Sequence, residues 1–151
     1  IAERLPERLR LLRENTGAVA VDPACEPLPD ILATETDGRG PDVIFSATPE
    51  MPLGQDLLAL LSPGGRASVF SGPAPGEGKK ELDLGRMHYH EIAISGSYGC
   101  TSLQDSQAAR LLLSHRIRAN WLITEKEPLS EIDRAFDHSA RRAGMKSVVC
   151  F

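Results

Sequence analysis

The sequence lacks the marks of several protein classes. No block of Lys and Arg stands out, and 17 basic residues against 21 acidic ones leave a net charge of −4. Non-specific nucleic-acid binding needs clustered cations, so no nucleic-acid partner is expected. No apolar run is long enough for a bilayer; Asp56 interrupts the best stretch, Met51 to Leu61. No membrane partner is expected, and the charged N-terminal stretch does not resemble a secretory signal. Cysteine is scarce: Cys25, Cys100 and Cys150 are far apart and odd in number. Free thiols in a reducing, cytoplasmic compartment are therefore expected. A Gly-x-Ser-x-Gly nucleophile elbow and a Cys-x-x-Cys pair are both absent. The chain begins at Ile1 and not at Met. What remains is an ordinary globular composition, 41% hydrophobic and 25% charged. Its 151 residues suffice for one domain with a core.

The order of hydrophobic segments is informative. Pro6 suits the first turn of a helix, Leu5, Leu9 and Leu12 share a face, and Gly17 reads as its cap. Ala18 to Val21 reads as a buried strand closed by Asp22-Pro23. A short helical or irregular stretch, Pro27 to Thr36, leads to the loop Asp37 to Pro41. Strands are expected at Asp42 to Ala47, Arg66 to Ser71 and Glu91 to Ser97. A helix from about Glu50 to Leu61 stops at the turn Ser62-Pro63-Gly64-Gly65. Gly72 to Gly78 is an exposed loop, and Ser102 to His115 a helix with Ala108, Leu111, Leu112 and His115 on one side. The tail reads as a strand at Trp121 to Thr124, a helix carrying Leu129, Ile132 and Phe136, and a strand at Ser147 to Phe151. Short buried strands alternating with helices predict an α/β fold with a doubly wound parallel sheet. Ligands of such sheets bind at the carboxyl ends of the strands. Those ends carry Asp22, Thr48, Ser71 to Pro73 and Ser97 to Gly99.

Five segments occur in one order: Ile1-Ala2-Glu3-Arg4-Leu5-Pro6-Glu7-Arg8-Leu9, Gly40-Pro41-Asp42-Val43-Ile44-Phe45-Ser46-Ala47, Leu60-Leu61-Ser62-Pro63-Gly64-Gly65-Arg66, Met87-His88-Tyr89 and Ser95-Gly96-Ser97-Tyr98-Gly99. So ordered, they resemble the C-terminal part of a zinc-type medium-chain dehydrogenase, of the alcohol, polyol and threonine dehydrogenase superfamily. The resemblance spans essentially the whole chain. It implies a partial Rossmann domain at 1–118, lacking its first strand and glycine-rich turn. Residues 119–151 would be a β–α–β tail belonging to the catalytic domain. On this reading the chain is a fragment, inactive alone, of an NAD(P)-dependent alcohol or polyol dehydrogenase. The zinc ligands would lie outside this chain, and the parent enzyme would be a homo-oligomer joined through the coenzyme domain, near Glu91 to Ser97.

The resemblance also assigns cofactor contacts. Glu3 would accept hydrogen bonds from the adenosine ribose, favouring NAD, while Arg4 leaves NADP open. Ala47 and Thr48 would lie along the ribose and pyrophosphate. The family often has Gly where this chain has Pro49, which removes an N–H. Ser71, Gly72 and Pro73 would face the nicotinamide, and Ser97, Tyr98 and Gly99 its carboxamide. Lys146 would sit near the pyrophosphate. Blander roles compete at each position: Glu3 as a helix-dipole partner, Thr48 as an ordinary turn, Gly72 as a loop glycine, Tyr98 as a half-buried packing aromatic and Lys146 as a solvated cation.

His88-x-His90 has a metal-like spacing but no third ligand, and reads better as loop or strand histidines. No catalytic residue is expected in the chain. Two alternatives remain open. Leu61 to Ser71 also resembles the later part of S-adenosylmethionine-dependent methyltransferases, and the sheet would equally suit a non-catalytic nucleotide-binding or interaction module.

Overall fold

The computed structural model describes residues 1–48, 55–76 and 78–151. In chain order the elements are α1 (Pro6–Asn15), α2 (Leu28–Glu35), β1 (Val43–Ser46), α3 (Gln55–Leu60), β2 (Arg66–Val69), α4 (Leu84–Tyr89), β3 (Ala93–Gly96), α5 (Ser102–Leu113), β4 (Ile123–Pro128), α6 (Ile132–Ala140) and β5 (Lys146–Cys150). They form two compact units, Ile1–Glu26 with Cys100–Phe151, and Pro27–Gly99.

In the unit Pro27–Gly99, β1, β2 and β3 form a parallel sheet in that order. Ile44, Ala67 and Ile94 are aligned by the register, so they share one face. Leu58 and Leu61 pack on that face from the α3 side, with Ile92 and, from α4, Met87. The opposite face carries Phe45, which is 68% exposed. The expected helix covering is therefore supplied to one face by α3 and α4. The turn after α3 is anchored by Ser62, fully buried, whose hydroxyl donates to Asp42 Oδ1 at 3.0 Å. Arg39 pairs with the same carboxylate at 2.8 Å. Together they hold the Asp42 carboxyl below its ordinary range.

No apolar repeat marks α4 in the sequence. Asp83 caps it by accepting from the Arg86 N–H at 2.8 Å, and Arg86 in turn donates to the carbonyls of Leu58 and Ala59 at 3.2 and 2.9 Å. His88 and His90, expected in a loop or strand, lie in the last turn and at the C-cap of this helix. The start of the helix expected from Glu50 lies outside the described residues.

In the other unit, α1 ends at Asn15, and Thr16, not Gly17, is its cap. The Thr16 N–H and hydroxyl both donate to the Leu12 carbonyl, at 3.0 and 2.8 Å, and Gly17 does not take the positive φ of a glycine cap. The expected strand Ala18 to Val21 contributes one parallel bridge, Val21 to Ala2. The bridge is held by Glu3 N–H to the Val21 carbonyl at 3.0 Å and Val21 N–H to the Ile1 carbonyl at 2.9 Å. β4 and β5 pair in parallel, with α6 packed on them through the buried Ala135. Trp121 falls in a 3-10 turn, Asn120–Leu122, and the strand follows it. The charged run Thr124-Glu125-Lys126-Glu127 is thus strand, because β5 supplies the ladder. The helix α5 starts where expected but buries no side chain, and it ends at Leu113.

Candidate cofactor-binding site

Parallel strands present their carboxyl ends on one edge of a sheet. In the unit Pro27–Gly99, that edge gathers three of the predicted groups. Ala47 and Thr48 follow β1 directly, Ser71, Gly72 and Pro73 follow β2 after Phe70, and Ser97, Tyr98 and Gly99 follow β3. The junctions are held by the backbone. The Ser46 carbonyl accepts from Phe70 and Ser71, both at 3.0 Å. Ser97 donates its N–H to the Val69 carbonyl at 3.0 Å. Gly72 and Gly99 face open space, where an added Cβ would meet nothing within 4 Å, and Gly99 has φ +63°. Tyr98 is wholly exposed, not the half-buried packing aromatic that was its blander role. The edge therefore offers small residues, hydroxyls and one free aromatic ring, a set that fits a ligand laid across strand ends.

Glu3, Arg4 and Lys146 belong to the other unit. Glu3 follows the Ala2–Val21 bridge, and its Oε1 accepts from the N–H groups of Arg4 and Leu5 at 2.7 and 2.9 Å. That carboxylate therefore sits just before the N-terminus of α1, on the N–H groups of the N-cap Leu5 and of the residue preceding it. Lys146 opens β5 and is exposed. Its carbonyl accepts from the Thr124 hydroxyl at 3.3 Å.

Among the described residues, no group of three or more His, Cys, Asp or Glu side chains could hold a metal ion. Two of the thiols lie beside carboxylates that hold the proton on sulfur. The charge of Asp22 raises Cys25, with the thiol 3.6 Å from its carboxylate. The hydrogen bond to Asp105, 3.1 Å long, raises Cys100. The residues described here do not fit a zinc site. A depression of about 280 Å³ lies on the sheet, lined by Val43, Phe45, Arg66, Ala67, Ser68 and Ser95. It contains none of the predicted contact residues. Glu127 and Arg134 form an ion pair 3.2 Å apart, for which a Glu at alternate strand positions, 125 and 127, is the one signal in the sequence.

A parallel α/β sheet with polar strand ends along its carboxyl edge defines a Rossmann-like domain. Residues 1–114 match the zinc-binding dehydrogenase family, and the chain belongs to that family. It is 25% identical over 132 residues to a sorbitol dehydrogenase of Halalkalibacterium halodurans, covering 85% of this chain and 37% of that one. It is 29% identical over 133 residues to a D-arabitol-phosphate dehydrogenase of Enterococcus avium, covering 86% and 36%. The chain thus spans little more than a third of the length of these relatives. Among solved structures, an alcohol dehydrogenase of Thermotoga maritima superposes with a TM-score of 0.85 at 20% identity, covering 98% of this chain and 41% of that one. An Escherichia coli CFT073 alcohol dehydrogenase complexed with NADH gives 0.79 at 19% identity, covering 99% and 43%. A zinc-binding dehydrogenase of Sinorhizobium meliloti 1021 bound to NADP gives 0.78 at 22%, covering 99% and 44%.

Proposed function

We propose that this chain is part of an NAD(P)-linked, zinc-dependent polyol or alcohol dehydrogenase and supplies most of its coenzyme domain. Residues 1–118 are read as a partial Rossmann domain and 119–151 as a segment of the catalytic domain. The observation that carries the reading is the convergence of Ala47–Thr48, Ser71–Pro73 and Ser97–Gly99 on one sheet edge in a chain of this family. Family membership also favours the dehydrogenase over the methyltransferase reading.

A bound nicotinamide would supply hydride acceptance at its ring. The work of this chain is positioning. Gly72 and Gly99 let backbone approach the ring without a side chain in the way. Backbone groups at Ser97 to Gly99 orient the carboxamide, which fixes the ring face that is offered. Glu3 keeps Oε2 for ribose hydroxyls while Oε1 stays on the α1 backbone. A negative charge there opposes a 2′-phosphate, so NAD is preferred over NADP. Lys146 offers a cation for the pyrophosphate. The zinc ligands, the alcohol contacts and the residues that choose among polyols are placed outside this chain, and the enzyme is read as a homo-oligomer.

Fluorescence titration of the complete enzyme with NADH and NADPH tests this. NADH should bind more tightly, and Glu3→Gln should weaken NADH by roughly tenfold, the worth of a hydrogen bond to a charged group. Tighter binding of NADPH to the unmodified enzyme would sink the role given to Glu3.

A further inference from the structure

We propose that Arg8 and Glu7 are positioning residues, a clamp on Gly144 that fixes the backbone of Lys146 relative to α1 and so to Glu3. The inference rests on the coenzyme roles proposed above for Glu3 and Lys146. Both residues belong to the unit made of the two chain ends. Glu7 and Arg8 stand in the first turn of α1, just after the Glu3 carboxylate and its bonds to Arg4 and Leu5. Arg8 Nε–H donates to the Gly144 carbonyl at 2.7 Å, and Glu7 Oε2 accepts from the Gly144 N–H at 3.4 Å. Two adjacent side chains thus take both backbone groups of one residue far away in sequence. Arg8 is half-buried and Gly144 is buried, a setting in which a charge-assisted hydrogen bond is stronger than in water.

Gly144 lies in the link between α6 and β5 with φ +61°. A Cβ there would strike the Thr124 side chain and lie 3.0 Å from His138 Nε2. The turn is therefore held by α1 on one side and closely packed by β4 and α6 on the other. Thr124 carries the constraint onward. Its Oγ1 accepts from the Met145 N–H at 2.9 Å and donates to the Lys146 carbonyl at 3.3 Å. Lys146 then opens β5, paired with Ile123 of β4. Backbone and side-chain hydrogen bonds thus connect α1 with the backbone of Lys146 through Gly144 and Thr124. A long lysine side chain meets an anion productively only from a well-placed backbone, and a looseness of about 1 Å is enough to spoil such a contact. The Glu3 carboxylate, by contrast, is held by its own neighbours and does not depend on the clamp.

Fluorescence titration of the complete enzyme with NADH, arranged as a double-mutant cycle, tests the clamp. Lys146→Ala alone should weaken NADH by roughly fivefold, and Arg8→Ala alone by a similar factor. In the Arg8→Ala background, Lys146→Ala should cost under about twofold, because its cation is already out of place. Glu3→Gln should keep its full penalty in that background. Arg8→Lys, which retains a donor for the Gly144 carbonyl, should restore most of the Lys146 penalty. Additive penalties at Arg8 and Lys146 would overturn the clamp, whether Arg8 touched the coenzyme itself or merely stabilised the fold. Loss of the Glu3 penalty together with that of Lys146 would also overturn it, since only a general loss of structure removes both. An unchanged NADH affinity in Lys146→Ala would refute the pyrophosphate role of Lys146, and the clamp with it. Should Arg8→Ala fail to fold, Glu7→Ala cuts the longer bond and should show the same coupling at smaller size; additivity there would overturn the clamp equally.

Discussion

Two glycines in one loop show how position decides the worth of a residue. Gly38 and Gly40 both have positive φ, +79° and +85°, a region where a Cβ costs roughly 1–2 kcal/mol. Around Gly38 there is open space, but a Cβ on Gly40 would strike the Leu60 carbonyl and crowd Ser62 N at 3.1 Å. Gly38→Ala should cost about 1–2 kcal/mol. Gly40→Ala should cost more, because backbone must also move at the end of α3. Chemical denaturation of the two variants measures this, and equal costs would contradict it. The sequence marked both glycines as loop residues and could not rank them. The ranking comes from α3, twenty residues further on. Glu3 illustrates the same limit. It follows the single Ala2–Val21 bridge and precedes α1. That half of its carboxylate is already committed to Arg4 and Leu5 N–H groups is a matter of geometry.

Elements with apolar repeats were legible, and those built on polar logic were not. β1 to β3 lie within the expected hydrophobic runs, shortened by one or two residues at their ends. The helix α4 is six residues long and carries no apolar repeat, since its formation rests on the Asp83 cap and on Arg86 reaching α3. β4 was displaced because its charged run has no hydrophobic alternation. α5 buries no side chain, so its ends carry unusual weight. Thr101 and Gln104 form a reciprocal capping box there, with Thr101 N–H to Gln104 Oε1 at 2.7 Å and Gln104 N–H to Thr101 Oγ1 at 3.3 Å. Thr101→Ala should destabilise the helix by about 1 kcal/mol. Amide exchange at its first turn reads this directly, and unchanged exchange would show that the cap contributes nothing.

At the scale of the whole molecule, the composition is that of an ordinary globular protein, but the burial is selective. Phe45 and Phe70, on and beside the sheet, are 68% and 65% exposed, although aromatic side chains carry much of the burial available to a core. The chain produced alone should therefore enhance the fluorescence of a hydrophobic dye, and Phe45→Ser should reduce the enhancement. Dye fluorescence at the level of a well-packed globular protein would count against this. The candidate site divides in the same manner. Its strand-end residues assemble within Pro27–Gly99, while Glu3, Arg4 and Lys146 belong to the unit made of both chain ends.

By itself the sequence determined the family, the alternation of strands and helices, and the positions of the strand ends that bear the candidate contacts. These are local properties: an apolar run of strand length, a turn of Pro and Gly, and an ordered series of short motifs. The tertiary structure alone decided which face of the sheet is covered, that a charged run is a strand, that α4 exists, and that Glu127 lies buried against Arg134. Each of those depends on a partner distant in sequence. A burial penalty, a strand ladder or a helix cap has no energy until that partner arrives.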